Sequence, residues 1–364
     1  MWASPSTLDW SFPGAAFRAA HDVPQAGRLA TPCRTASVQL FSYRALVAAT
    51  VLAFAAACSS HSTPVALGQA TRVLPGPAVT GSIVVPAVPH QSHLPRVWPA
   101  KKDRPILFVA NLPDNEVVMY DPNTPNPSPE GSISDGMSYP VGLAVDKKGT
   151  LYVSNEGNDT ITIYPAGQSS PSLTISTGLD SNYGVTVDSK SDVFAANLGN
   201  DTVVGYKAGA TSPFETIDFS NLGQPVGLGA DSKDNIWVAC DSTNTIYTIP
   251  AGSSTPQNSN FDDVSGPIGI SFGKHDVTYV ANFGAKPSAV EIYAYGSTSP
   301  SGSITDGIEQ NGPTFNAFTR SEMFFQVNQF DNVVGYKKGK TAPFSTIASI
   351  SNPVGIASSP KIKE

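Results

Sequence analysis

The residues of this 364-residue sequence best suited to chemistry are oxygen-bearing. Asp and Asn recur in short segments between apolar runs, at Asn111, Asn155, Asn197, Asn282 and Asn328 and at Asp114, Asp159, Asp201 and Asp331. Such hard ligands suit Ca2+ or another divalent cation. Tight turns demand the same residues, because Asn and Asp tolerate left-handed backbone and bond their own turn amides. Recurrence at one place in every unit favours the turn reading. Asp180, Asp262, Asp263 and Glu309 do not recur, and with Asp135, Asn182, Tyr183 and Phe315 they form the candidate ligand-binding set. Of the histidines, His275 alone falls inside the repetitive part of the chain, and no Ser/His/Asp set, Cys/His dyad or phosphate-binding glycine loop is present. No catalytic residue is assigned, and nothing forces an enzymatic reading. Three scattered cysteines are too few for a disulfide framework, and Cys240 reads as a small buried hydrophobe.

The elements that must position these residues repeat. Pro140-Val-Gly-Leu-Ala-Val-Asp146 leads through a turn to Leu151-Tyr-Val-Ser-Asn155, then to Ile161-Thr-Ile-Tyr164 and Ser172-Leu-Thr-Ile-Ser176. The second run returns six times, ending at Asn111, Asn155, Asn197, Cys240, Asn282 and Asn328, at spacings of 42 to 46 residues. Runs of four to seven residues rich in β-branched and aromatic side chains, punctuated by Gly, Asn, Asp and Pro, are strands. Four strands in such a period match one propeller blade. The array begins with a second-strand run at Ile106 and finishes with a first-strand run, Pro353-Val-Gly-Ile-Ala-Ser358. The expected fold is therefore all-β, a six-bladed β-propeller of four-stranded blades, its ring closed by the C-terminal strand completing blade 1. Closure removes the exposed edges an open array would leave. The first run carries Pro-x-Gly in four copies, where crowding about an axis favours a residue without a side chain. The fifth such run reads Pro313-Thr314-Phe315; packing is the favoured role of its Phe, and plugging part of the channel or walling a pocket is the alternative. Tyr120, Tyr164, Tyr206, Tyr293 and Tyr336 recur once per unit as inter-blade packing.

The unit GLAVDKKGTLYVSNEGNDTITIY resembles the NHL repeat and the related YVTN repeat of YncE-like surface propellers, over roughly 106–360. That resemblance implies that the loops after the second and fourth strands share the mouth of the channel. It is loose for function, because these families include binding modules, scaffolds, lactonases and lyases. Gluconolactonase-like propellers hold a divalent metal at the mouth; their early Glu-Gly-Pro motif is absent, leaving Asp135, Asn182 and Asp262 as the metal candidates. Lyase-like members need histidines that this sequence lacks at the mouth.

Ahead of the repeats, residues 45–57 form a thirteen-residue apolar run preceded by Arg44 and ending in Ala55-Ala56-Ala57-Cys58. That is the length of a signal-peptide core, too short for a membrane span. The ending resembles a bacterial lipobox, which implies lipidation of Cys58; the alternative is an ordinary signal peptide with Cys58 incidental. The expected organisation is a non-native or disordered extension over 1–37, a signal peptide over 38–58, a Pro/Ser-rich linker over 59–104 and the propeller over 105–364. A net charge of −7 without a basic stripe excludes nucleic acid as a partner. The function expected is an exported, lipid-anchored binding or scaffold module of the cell envelope, facing the periplasm or the cell surface. Its ligand is a protein, glycan or small molecule. The alternative is a metal-dependent hydrolase.

Overall fold

The computed structural model describes residues 105–329 and 331–359. The extension, the Cys58 segment and the linker expected over 1–104 lie outside the described residues. Each repeat forms a four-stranded antiparallel sheet, and six sheets make the ring. Inner strands are Pro140–Val145 in blade two, Asn182–Val187 in blade three, Pro225–Ala230 in blade four, Pro267–Phe272 in blade five and Pro313–Phe318 in blade six. Blade one takes its inner strand from the C-terminal end of the array. Pro353–Ser359 pairs antiparallel with Ile106–Asn111, with Leu107 opposite Ser358 and Val109 opposite Ile356. The closure expected from the permuted ends is therefore the observed one.

The core lies between blades rather than in one central mass. Leu143, Val145, Val153 and Tyr164 of blade two pack on Phe108, Ala110, Val117 and Ile133 of blade one, and comparable clusters fill the next four junctions. Both faces of each inner and second strand are thus covered, which explains their near-continuous apolar runs. Each buried aromatic or aliphatic side chain contributes about 1.5–3 kcal/mol. Cys240 is free and fully buried in the same way, and burial pushes its thiol pKa up.

The recurrent tyrosines do more than pack. Tyr164, Tyr206, Tyr293 and Tyr336 are fully buried, and their hydroxyls donate to the carbonyls of Asp135 (2.5 Å), Thr177 (2.7 Å), Asp262 (2.6 Å) and Asp306 (2.7 Å). Each acceptor lies in the loop that carries the chain from one blade to the next, so the tyrosine fastens that crossing. Because strands alternate in direction, loops after second and fourth strands emerge on one face, here called upper. Loops after first and third strands emerge on the other, lower face.

Candidate functional site

On the upper face, the repeated amides are spent on structure. Asn155, Asn197 and Asn328 are fully buried at the ends of second strands, and their Oδ1 atoms accept from the backbone N–H of Ser138, Asp180 and Glu309. The preceding blade grips inter-blade loops as well. Asn115, Asp159 and Asn244, all at positive φ, accept through Oδ1 from the N–H groups of Tyr139, Ser181 and Gly266. In the crossings into blades two and three, two side chains thus satisfy amides that have no strand partner.

The candidates singled out from sequence do not converge there. Asp135, Asp180 and Glu309 are exposed, each in a different inter-blade loop, and Asp262 and Asp263 share a fourth. The Asp262 carboxylate accepts from Ser299 at 2.7 Å. Asn182 is fully buried, donating to Ser154 Oγ (2.5 Å) and the Thr160 carbonyl (3.0 Å). Among the described residues no group of three or more His, Cys, Asp or Glu side chains gathers to hold a metal. Two upper-face acids are perturbed by burial. The Glu156 carboxyl is pushed up to about 7 by burial and by the Asp159 carboxylate, and burial raises Asp241.

Tyr183 and Phe315 are brought together. Blades three and six lie opposite each other, and the two rings meet across the axis with centroids 5.7 Å apart, 2% and 8% exposed. At this level the inner strands touch. A Cβ placed on Gly142, Gly184, Gly227, Gly269 or Gly355 would lie 2.3, 2.3, 1.7, 2.2 or 1.8 Å from a carbonyl oxygen of the next blade. In blade six, where Phe315 replaces glycine, Thr314 Oγ1 bonds the Val354 carbonyl at 3.1 Å. The Phe315–Tyr183 pair and the contacting strands plug the upper end of the channel.

Below the plug the channel widens into a cavity of about 490 Å3 that opens on the lower face. Its volume is in the range of small-molecule sites, about 300–1,000 Å3. Aliphatic walls come from Leu143, Val185, Leu228, Ile270 and Ile356, which occupy one position of successive inner strands; blade six places Asn316 there. Lys147, Lys274 and Arg320 stand at the rim, exposed and without an ion pair among the described residues. The neighbouring acids are already engaged. Asp231 accepts from Lys233 N, Asn235 N, Asn235 Nδ2 and Trp237 Nε1 at 2.8–3.0 Å, while Asp276 accepts from Ser232 N and Oγ. Asp234 accepts likewise from Ser189 N and Oγ.

Charge is divided between the faces. Among the described residues, Lys286 alone of the lysines and arginines lies in an upper-face loop, and the rest occupy lower-face loops. This cavity was not among the sequence-derived candidates. Its walls look like ordinary strand residues and its cations like ordinary turn residues. The signal present in the sequence was Asn316, an amide in a column otherwise Leu, Val or Ile.

The fold defines the chain as a β-propeller. A chain from the crystal structure of a nidogen/laminin complex superposes with a TM-score of 0.60 at 14% identity, over 71% of this chain and all of that one. A virginiamycin B lyase from Staphylococcus aureus aligns with a TM-score of 0.48 at 11% identity, over 63% of this chain and 76% of the lyase. At such identities the likeness is one of fold alone. No protein-family model and no curated protein sequence matches the chain.

Proposed function

We propose that this chain is an exported β-propeller, tethered to a bacterial membrane through a lipid on Cys58, that serves as a binding module of the cell envelope. Its ligand is a small molecule held in the central cavity. The carrying observation is the cavity itself, about 490 Å3, walled by aliphatic side chains and rimmed by Lys147, Lys274 and Arg320, cations with no ion pair among the described residues. The reading places recognition at the lower end of the channel, because Phe315 and Tyr183 plug the upper end. Pro105 lies on that side too, just ahead of a second strand that starts at the lower face. A scaffold role for the upper-face loops is compatible with this.

Native mass spectrometry of the protein purified from its own envelope tests the binding reading. Ala230→Trp, which fills the rim of the cavity, is expected to lose any co-purifying small molecule while retaining the wild-type melting temperature within a few degrees. Retention of the same molecule by that variant places recognition elsewhere. For the anchor, Cys58→Ser is expected to move the protein from the membrane fraction to the soluble one.

A further inference from the structure

We infer that the central cavity takes an organic anion with an apolar body, a carboxylate or phosphate ester, whose charged group is bound by Lys274 and Arg320. This rests on the reading of the cavity as the ligand site. Three features carry it.

Charge comes first. Four carboxylates, Asp188, Asp231, Asp234 and Asp276, also line the cavity, and each is held in place by turn amides, hydroxyls or side-chain N–H groups. Lys274 and Arg320 have no anionic partner among the described residues. The acids are fixed by their own loops, whereas the Lys274 and Arg320 side chains are exposed at the rim and free to turn toward a ligand's charged group. Arg presents a planar fork suited to carboxylate or phosphate, and Lys adds a mobile point charge.

The aliphatic belt is interrupted on one side. Lys274 and Arg320 stand in the turns that follow the inner strands of blades five and six, and those same strands supply Ser271 and Asn316. Ser271 Oγ and Asn316 Oδ1 are buried without a hydrogen-bond partner. The orientation of the Asn316 amide is fixed by its neighbour. Gln326 Nε2 donates to the carbonyls of Phe315 (3.2 Å) and Val327 (2.8 Å), so its Oε1 is left to accept from Asn316 Nδ2 at 3.2 Å. Asn316 is 8% exposed, and an unpartnered carbonyl there is costly. At the level of Asn316 the facing inner-strand residues Leu143, Val185 and Leu228 of blades two to four are aliphatic, while the same blades add Lys147, Thr186, Asp188 and Asp231 elsewhere in the lining. The aliphatic belt at that level suits the apolar body of a ligand whose charged group lies at the rim.

The cationic side continues outward. A groove of about 270 Å3 between blades five and six shares Lys274 and Phe318 with the cavity, and adds Tyr279, Phe324, Lys337 and Lys340. Cations therefore line the approach as well as the rim.

The test uses three eight-carbon probes of different charge, octanoate, octan-1-ol and octylammonium, with the propeller-bearing full chain and isothermal titration calorimetry. Octanoate is expected to bind at least about tenfold more tightly than either of the others, and to weaken with added salt as an exposed charge contact should. The double variant Lys274→Ala/Arg320→Ala should lose that preference and leave octanol binding unchanged. Both side chains are exposed, so the melting temperature should stay within about 2 °C of wild type. A further arm presents oleate in phosphatidylcholine vesicles; extraction of oleate marks a lipid source, and binding of octanoate alone marks a soluble one. Equal affinity for all three probes overturns the anion assignment while leaving the cavity as a binding site. Failure of every probe, with Ala230→Trp indistinguishable from wild type, overturns the binding reading itself.

Discussion

Replacing Gly227 by Ala would place a methyl carbon 1.7 Å from the Ile268 carbonyl oxygen. Side-chain carbons do not sit closer than about 3 Å to such an atom, so one inner strand must retreat by more than an ångström. It has nowhere to go. Blade five already stands against blade six in the same manner, with a Cβ on Gly269 only 2.2 Å from the Thr314 oxygen, and the ring is closed. Overpacking a dense interior costs about 1–3 kcal/mol, and a backbone-to-backbone collision with no flexible partner belongs at the top of that range. For a domain of this size about 3 kcal/mol corresponds to a melting temperature lower by roughly 6–12 °C. The control is Gly302→Ala in the outer strand of blade five, where the new carbon meets only Ile292 Cδ1 at 3.9 Å. There the loss of glycine's backbone freedom should stabilise by about 0.5–1 kcal/mol. Scanning calorimetry on both variants checks the pair. If they melt within about 2 °C of each other, the inner strands are not held in contact at that level, and the account of the plugged upper end fails with it.

Three further outcomes follow from the same structure. Tyr336→Phe deletes the hydroxyl bound to the Asp306 carbonyl and leaves that carbonyl unpaired, so the urea midpoint should fall by an amount worth about 1–2 kcal/mol. Glu156 carries a carboxyl raised to about 7, so the folded state keeps its proton where the unfolded chain, with an ordinary Glu pKa, has lost it. Its contribution is therefore complete at low pH and is lost as pH rises through about 7, and Glu156→Gln should gain up to about 2 kcal/mol over wild type at pH 8 with little change at pH 4.5, read as melting temperature against pH. Chelator followed by Ca2+ should shift the melting temperature by less than about 1 °C, because Asp135 and Asp262 lie exposed in separate loops and Asn182 is buried in hydrogen bonds; a rise of several degrees would support the metal reading instead.

The repeat period made the blades legible, and the permuted ends made the closure legible, because both are properties of order along the chain. Pro-x-Gly likewise announced crowding at the axis, since a missing side chain in four equivalent places has a steric reason. What the order could not reveal was which residues meet across the ring. Phe315 and Tyr183 are far apart in sequence, and their contact depends on blades three and six being diametrically placed. The acids and amides of the upper face drew attention by chemical type, yet Asn155, Asn197 and Asn328 are consumed in holding loop amides. The lower cavity has no comparable sequence flag, being assembled from aliphatic strand residues and turn lysines. Asn316 was its one irregularity, visible only when the inner strands are set side by side.

The strand that closes the ring also supplies part of the cavity: Ile356, Ala357 and Ser358 lie in its wall. A growing chain lays down the second strand of blade one at the start of the array and its inner strand at the very end. Until that last segment arrives, blade one shows a bare edge and the cavity lacks one of its six sides. Closing the ring and walling the cavity are therefore a single event in time. A chain caught short of Pro353, by interrupted synthesis or by trimming, lacks both the inner strand of blade one and one side of the cavity.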